Sequence, residues 1–468
     1  YLCITKISLK ERYKNLRGKA AKQRRDVSEK AKQSRKNLKE FFATSGRATY
    51  ASMFFMGVGQ IVNGQYIKGF IYILLEVGFI TYFALRGIKD LFGFFTLGTV
   101  KADPWLGIKG DDSVIMLLMG IFAWIALIAL IIVYVANIKD AHRGAEDLLF
   151  KGKVSSFKDD LSSLMNRNFY KAALVIPILG VMIFNVLPII FMILIAFTNY
   201  GGKIVPPELV DWSLDSFRKL VAVGDLSQSF GKILGWNLLW AFLSTFINYF
   251  LGLGLAILYN KKCVKPKALW RAFPVLAYAV PGFISLLVFH YMFSNGGPIN
   301  QIIVQNGGKI IDFLGINSKW MARGIGLLVN AWLSVPSIML LASGILSNMN
   351  NDLYEAARID GASSWVQFIK ITLPFVLFST TPVLISQFMG NFNNFGVFYF
   401  LRSDVLSEGY FLASDTDLLI NWLYRMSIDN NYYSIGAAIS LIMFIITSAI
   451  SLLVYVRSSA YKREDTFK

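Results

Sequence analysis

Few residues in this chain can do covalent or metal chemistry. Its 468 residues include two histidines, His142 and His290, and two cysteines, Cys3 and Cys263. So small a set excludes a thiolate cage, a histidine metal site and a secreted disulfide framework. Gly307-Gly308-Lys309 is followed by Ile310, not by the Ser or Thr of a phosphate-cradling loop. Carboxylates are scattered as well. Glu76 lies in an otherwise uncharged stretch, whereas a proton-driven carrier usually needs several such groups. A membrane-embedded phosphatase or glycosyltransferase would need clustered acids at a membrane face, and the sequence offers none. What remains is amide chemistry. Gln387, Asn391 and Asn394 recur at i, i+4 and i+7, so a helix would place them on one face. Each amide offers a donor and an acceptor, which matches the vicinal hydroxyls of a sugar. Phe392, Phe395 and Phe398 would add stacking surface. The alternative role for the amides is hydrogen bonding between helices.

The elements that must hold these amides are membrane helices. The chain is 55% hydrophobic and 16% charged, where a soluble protein carries about 25% charge. Its mean hydropathy is +0.51. Charges cluster between long apolar runs. Eight runs come close to the roughly 20 residues that cross a bilayer: about 69–86, 113–138, 172–199, 233–260, 272–294, 324–347, 375–400 and 433–456. The fold class is therefore all-α, a polytopic membrane helical bundle. Residues 48–67 are uncharged but rich in Gly, Gln, Asn and Ser, and only Lys68 separates them from the next run. They read as an interfacial or re-entrant element.

Basic residues orient the bundle. With both termini cytoplasmic, the inner segments 1–68, 139–171, 261–271, 348–373 and 457–468 hold 34 of the 47 Lys and Arg residues. The net charge of +18 is thus a feature of inner loops facing anionic lipid, not of a nucleic-acid surface. Fifteen of the cations fall in residues 1–47, relieved by Glu11, Asp26, Glu29 and Glu40. That arm reads as a lipid anchor, or as a regulatory or docking arm. The first forty residues are polar and show no signal peptide; the sequence starts at Tyr1, and its start carries no argument.

One inner segment has a specific pattern, running from Asp352 through Glu355-Ala356-Ala357-Arg358, Asp360-Gly361 and Ser364 to Ile371-Thr372-Leu373-Pro374. It predicts two short helices. Asp352 is the expected N-cap of the first, and Gly361 the left-handed residue that ends it. Ser364 with Gln367 is the expected capping box of the second. Pro374 opens the next span. A hairpin of this kind, with little net charge, is shaped to enter another protein's groove.

These residues resemble the coupling loop of the permease subunits of binding-protein-dependent ABC importers. The resemblance covers roughly 170–458 and is most like the first of the two permease subunits of maltose/maltodextrin importers. It is carried by Pro274, Tyr278-Ala279-Val280-Pro281, Asn330-x-Trp332, the run Asn391 to Phe395, Thr416-Asp417 and Tyr424-Arg425. It implies a six-helix permease core over 172–457 with the coupling loop at 350–374. Residues 69–138 would be two preceding helices, 139–171 a cytoplasmic linker, and 458–468 a tail. Glu355, Ala356, Ala357, Arg358, Asp360, Gly361 and Pro374 would couple to a separate ATPase dimer. ATP and its Mg would be bound by that partner, so the chain itself would be neither an enzyme nor a holder of cofactors. Further implied partners are a homologous second permease, an extracellular sugar-binding protein and membrane lipid.

Asn391 and Asn394 match positions that contact sugar in the family. Gln387, Phe392, Trp332, Ser334 and Ser337 complete the implied substrate site. The family's Gly and Tyr after Trp332-Leu333 are Ser334 and Ser337 here, which implies a differently lined cavity. The enteric member's large insert between the third and fourth spans is reduced here to about 200–232, as in Gram-positive relatives with lipid-anchored binding proteins. The core spans contain no Arg or Lys to hold a phosphorylated cargo. A neutral oligosaccharide of maltodextrin type is expected, with raffinose-type sugars as the alternative.

Overall fold

The structure, a computed structural model, describes residues 46–457 except 104, 207, 262, 263 and 403, together with positions 29, 33 and 36. Most of the basic arm, the tail 458–468 and both cysteines lie outside the described residues. Among the described residues seven helices are long and apolar enough to cross a membrane: Tyr66–Thr96, Ser113–Lys151, Phe169–Ala196, Asp225–Asn260, Lys319–Ser347, Ser364–Arg402 and Tyr433–Arg457. Lys267–Ala279 and Gly282–Gln305 together form an eighth candidate. In chain order these are the first to eighth spans, the bent pair being the fifth.

That fifth span departs from the expected straight run over 272–294, because the pair is bent by 91°. The cause is local. Val280 and Pro281 are extended, with ψ of 133° and 129°. A residue before proline is driven out of the helical region by the ring, and the chain turns there. Apolar composition continues through the break and conceals it.

The chain forms two compact units. One holds residues up to 96 together with 114–188; the other holds 97–113 together with 189 onward. In the first unit, residues 47–65 form two helices, Arg47–Phe54 and Val58–Val62, too short to cross a bilayer. Gly57 and Gly64 turn the chain at φ +83° and +82°. Several polar side chains of this hairpin are used inside the unit. Asn137 of the second span accepts from Gly57 N–H at 3.0 Å and donates to the Ser52 carbonyl at 3.0 Å. Gln60 and Asn63 donate to the carbonyls of Asn137 and Ala141, both at 2.9 Å. Glu76 accepts from Met56 N–H at 2.9 Å, so its carboxylate serves a backbone amide. Lys68 is buried and paired with Asp160.

The second unit is organised on the sixth span, of whose most apolar stretch 56% is buried, against 6% for the first and third spans. Between lipid-surrounded helices apolar burial gains little, so close packing and hydrogen bonds hold the bundle. The fourth and sixth spans touch at Gly252, where a Cβ would stand 2.7 Å from the Ile338 Cβ. Around that contact Tyr249, Leu253, Met339 and Val376 are buried together; towards the other end Trp236, Trp240, Val329 and Phe398 form a second core.

Candidate functional site

The loop after the sixth span is built as a capped hairpin. Its first helix is Asn351–Ile359. The N-cap is Asn350, whose Oδ1 accepts from Asp352 N–H at 2.9 Å; Asp352, the expected cap, lies in the first turn. There its carboxylate faces the positive end of the helix dipole. At the other end Gly361 takes φ +77°. Its N–H bonds the Arg358 carbonyl at 3.0 Å, while Ala362 N–H bonds Ala357 at 2.9 Å. That pair of bonds is the Schellman termination. The next turn, Ser364–Gln367, is capped by Ser363 and not by Ser364, and Gln367 Nε2 donates to the Ala362 carbonyl at 2.8 Å. No Ser364–Gln367 box forms.

A π turn, Phe368–Thr372, follows, closed by Leu373 N–H to the Phe368 carbonyl. Pro374 comes directly after it. A proline cannot donate and its ring presses on the carbonyl four residues back, a clash that a wider turn relieves. Tyr354 of the hairpin bonds Thr372 through their hydroxyls at 2.9 Å. Glu355, Ala356, Arg358, Asp360 and Gly361 are exposed, as is Pro374, and Ala357 is half-buried. Ile359 and Trp365, 86% and 67% exposed, add apolar surface to the hairpin.

The amides meet inside the bundle, although not as one helical stripe. The seventh span's long helix ends at Phe392, and Asn393–Phe395 form a break before Gly396–Arg402. Asn394 therefore lies in the break, where its Oδ1 accepts from Val397 N–H at 3.1 Å and caps the following helix. Asn330 of the sixth span joins the two asparagines: its Nδ2 donates to Asn391 Oδ1 at 3.3 Å, and its Oδ1 accepts from Asn394 Nδ2 at 3.2 Å. Asn391 Nδ2 continues the chain to Thr245 Oγ1 at 3.0 Å. Carbonyls freed by the break are taken by side chains. Trp240 Nε1 bonds Asn391, Asn237 Nδ2 bonds Phe392, both at 3.1 Å, and Asn421 Nδ2 bonds Phe395 at 2.7 Å.

The remaining residues of the expected substrate site are dispersed. Phe392 and Phe398 are fully buried in packing, whereas Phe395 stacks on Tyr399 at 4.4 Å. Gln387 is half-buried, and its side chain makes no hydrogen bond among the described residues. Ser337 donates to the Ser334 carbonyl at 2.8 Å. Trp332, half-exposed, lines a groove of about 500 Å³ with Phe273, Val335 and Pro336. Thr245 instead opens on a groove of about 650 Å³ with Phe242, Phe246, Tyr249 and Phe388. Trp332 and the amide chain do not share a groove. Asn330 and Thr245 were not among the expected site residues. Their signal lay in the sequence as uncharged polar residues inside apolar spans.

At the end of the spans opposite the hairpin, Arg402 joins two loops. It donates to the carbonyls of Leu314 and Gly315 at 2.9 and 2.7 Å, to Ser414 and Thr416, and to the carboxylate of Asp415. Asp417 is almost fully buried and accepts from Ser414 N–H at 2.8 Å. Burial pushes its carboxyl up to about 6, with Arg425 opposing from 3.5 Å. His290 Nδ1 lies 2.9 Å from the Leu401 carbonyl.

Comparison with known proteins agrees with this architecture. The family described as binding-protein-dependent transport system inner membrane component matches residues 248–462. A maltodextrin transport system permease protein of Streptococcus pneumoniae is 34% identical over 421 residues, covering 87% of this chain and 95% of the relative. A galactooligosaccharides transport system permease protein of Bacillus subtilis is 32% identical over 418 residues, covering 87% and 96%. Among solved structures, a bacterial alginate ABC transporter in complex with a pentasaccharide-bound periplasmic protein shares the fold at a TM-score of 0.52 and 20% identity, over 63% of this chain and 96% of that one. Among the described residues the bundle is helical and multi-span, and with these relatives the chain belongs to the permease subunits of binding-protein-dependent carbohydrate ABC importers.

Proposed function

We propose that this permease forms half of a pathway for maltodextrin-like neutral oligosaccharides and is driven through the Glu355 hairpin by a separate ATPase dimer. The observation that carries the reading is the exposed hairpin, capped at Asn350 and closed at Gly361, with Ile359 and Trp365 free to fill a partner's groove. ATP binding in the partner would close that dimer and displace the hairpin, which continues without a loop into the seventh span and its amides. A second permease would supply the other half of the pathway, and an extracellular binding protein would deliver the sugar. Both termini are then cytoplasmic, in the plasma membrane of a Gram-positive cell.

The amide chain Asn394–Asn330–Asn391–Thr245 supports a neutral, hydroxyl-rich cargo, since it offers donors and acceptors without charge. The Bacillus relative favours a second reading, a galactose-containing oligosaccharide. Purification of the assembled complex, with mass spectrometry of partners and of sugar released on denaturation, tests both. A second permease, an ATPase and a glucose oligosaccharide are expected. Isolation of the chain as a catalytically sufficient homo-oligomer would overturn the assembly, and a galactose-containing sugar would replace the cargo.

A further inference from the structure

The ends of the fourth and sixth spans opposite the hairpin carry three cations, Lys232, Lys319 and Arg323, none of them in a direct ion pair among the described residues. Lys232 is exposed, donates to the Gly409 carbonyl at 2.9 Å and lies 5.1 Å over the Tyr410 ring. Arg323 is buried; its guanidinium stands 3.8 Å from the Trp236 ring and 5.1 Å from the Trp320 ring. Its Nε and Nη2 both donate to the carbonyl of Asp415, at 3.2 and 2.6 Å. Lys319 lies 5.4 Å over the ring of Trp320, which is 72% exposed. Two acids of the neighbouring loop are engaged elsewhere, Asp415 with Arg402 and Asp417 with Arg425, while Glu408 adjoins the Gly409 that Lys232 bonds.

Aromatic faces hold cations in place without cancelling their charge. The cluster therefore presents positive potential around an exposed indole, and Trp, Tyr and Arg are the side chains that dominate binding energy at protein interfaces. The cluster is rooted in the core that Trp236 shares with Trp240, Phe398 and Leu418, not on a lipid-facing apolar flank. A neutral sugar has no use for three charges. A protein surface that arrives and leaves in every transport cycle does, because complementary charge speeds encounter without locking the complex.

We propose that Lys232, Lys319 and Trp320, backed by the charge of the buried Arg323, form the landing surface for an acidic lip of the sugar-binding protein. The proposal rests on the reading of the chain as an importer permease with this end outside. It concerns where and by what chemistry the delivering protein is captured, and it makes that capture dependent on salt. At physiological ionic strength charges interact over about 8 Å, so raising the salt should weaken landing.

The test uses the full complex in proteoliposomes, with uptake measured against the concentration of sugar-loaded binding protein at low and high salt. For the double variant Lys232→Glu and Lys319→Glu, the KM for binding protein should rise about tenfold while kcat holds, and its salt dependence should flatten. The pair Lys232→Arg and Lys319→Arg should behave as wild type. An unchanged KM in the double reversal overturns the proposal. So does a loss confined to kcat, or one that anionic lipid and not binding protein restores. A wild-type complex whose uptake needs no binding protein would instead overturn the functional reading on which the proposal stands.

Discussion

An asparagine inside a bilayer has several hydrogen-bonding positions to fill, and Asn391 fills them with Thr245, Asn330 and Trp240. Asn394 is less committed, with one bond to Asn330 and one cap to Val397. A sugar hydroxyl inserted between Asn330 and either neighbour would replace one amide bond by two. Asn391→Ala and Asn394→Ala are each expected to lose about 1–3 kcal/mol, the cost of a buried polar partner left unpaired. Uptake per folded transporter should then fall on the order of five- to hundredfold, with basal ATPase activity and the binding protein's own affinity unchanged. Reduced thermal stability with unchanged specific uptake would make the chain a helix tie only. The asparagines themselves were legible from spacing along one span. The pairing of Asn330 with them was not, because spacing within a helix is silent about which residues of another helix stand opposite.

Among the elements, the hairpin gives the sharpest case. Nothing lies within 4 Å of a Cβ built on Gly361, so only its backbone, at φ +77°, sets the requirement. An L residue there costs about 1–2 kcal/mol, and proline, fixed near −65°, cannot take the turn. Gly361→Pro should leave the spans inserted but abolish sugar-stimulated ATPase activity in the reconstituted complex; normal stimulation would remove the hairpin from the coupling path. The hairpin was readable in the sequence, but its caps were off by one or two residues. Asn350-Asn351-Asp352 and Ser363-Ser364 are rows of equally good caps, and the choice falls to the backbone that enters each helix. The break at Pro281 escaped for a different reason: hydropathy counts composition, whereas the turn depends on one ring and the residue before it.

For the molecule as a whole, the asymmetry of Lys and Arg predicts a direction through the membrane. In a variant lacking Cys3 and Cys263, a cysteine at the fully exposed Val223 should label only from outside, and one at Ile359 only from inside. The reverse pattern would invert the assignment. The spans could be read from composition because crossing a bilayer demands length and apolarity, and little else imitates that. The grouping of 97–113 with the later helices could not, since it rests on single contacts such as Val210 N–H to Ser113 Oγ at 3.0 Å.

The hairpin before the first span has a consequence in time. Its Gln60, Asn63 and Gln65 donate to carbonyls 77, 78 and 90 residues further along the chain. Translation at about 5–20 residues per second delivers those partners roughly 4–18 seconds after the amides themselves. During that interval the three amides must stay near water or the insertion machinery. The N-terminal unit thus cannot mature span by span: it closes only when the second span and the start of the following linker have been made.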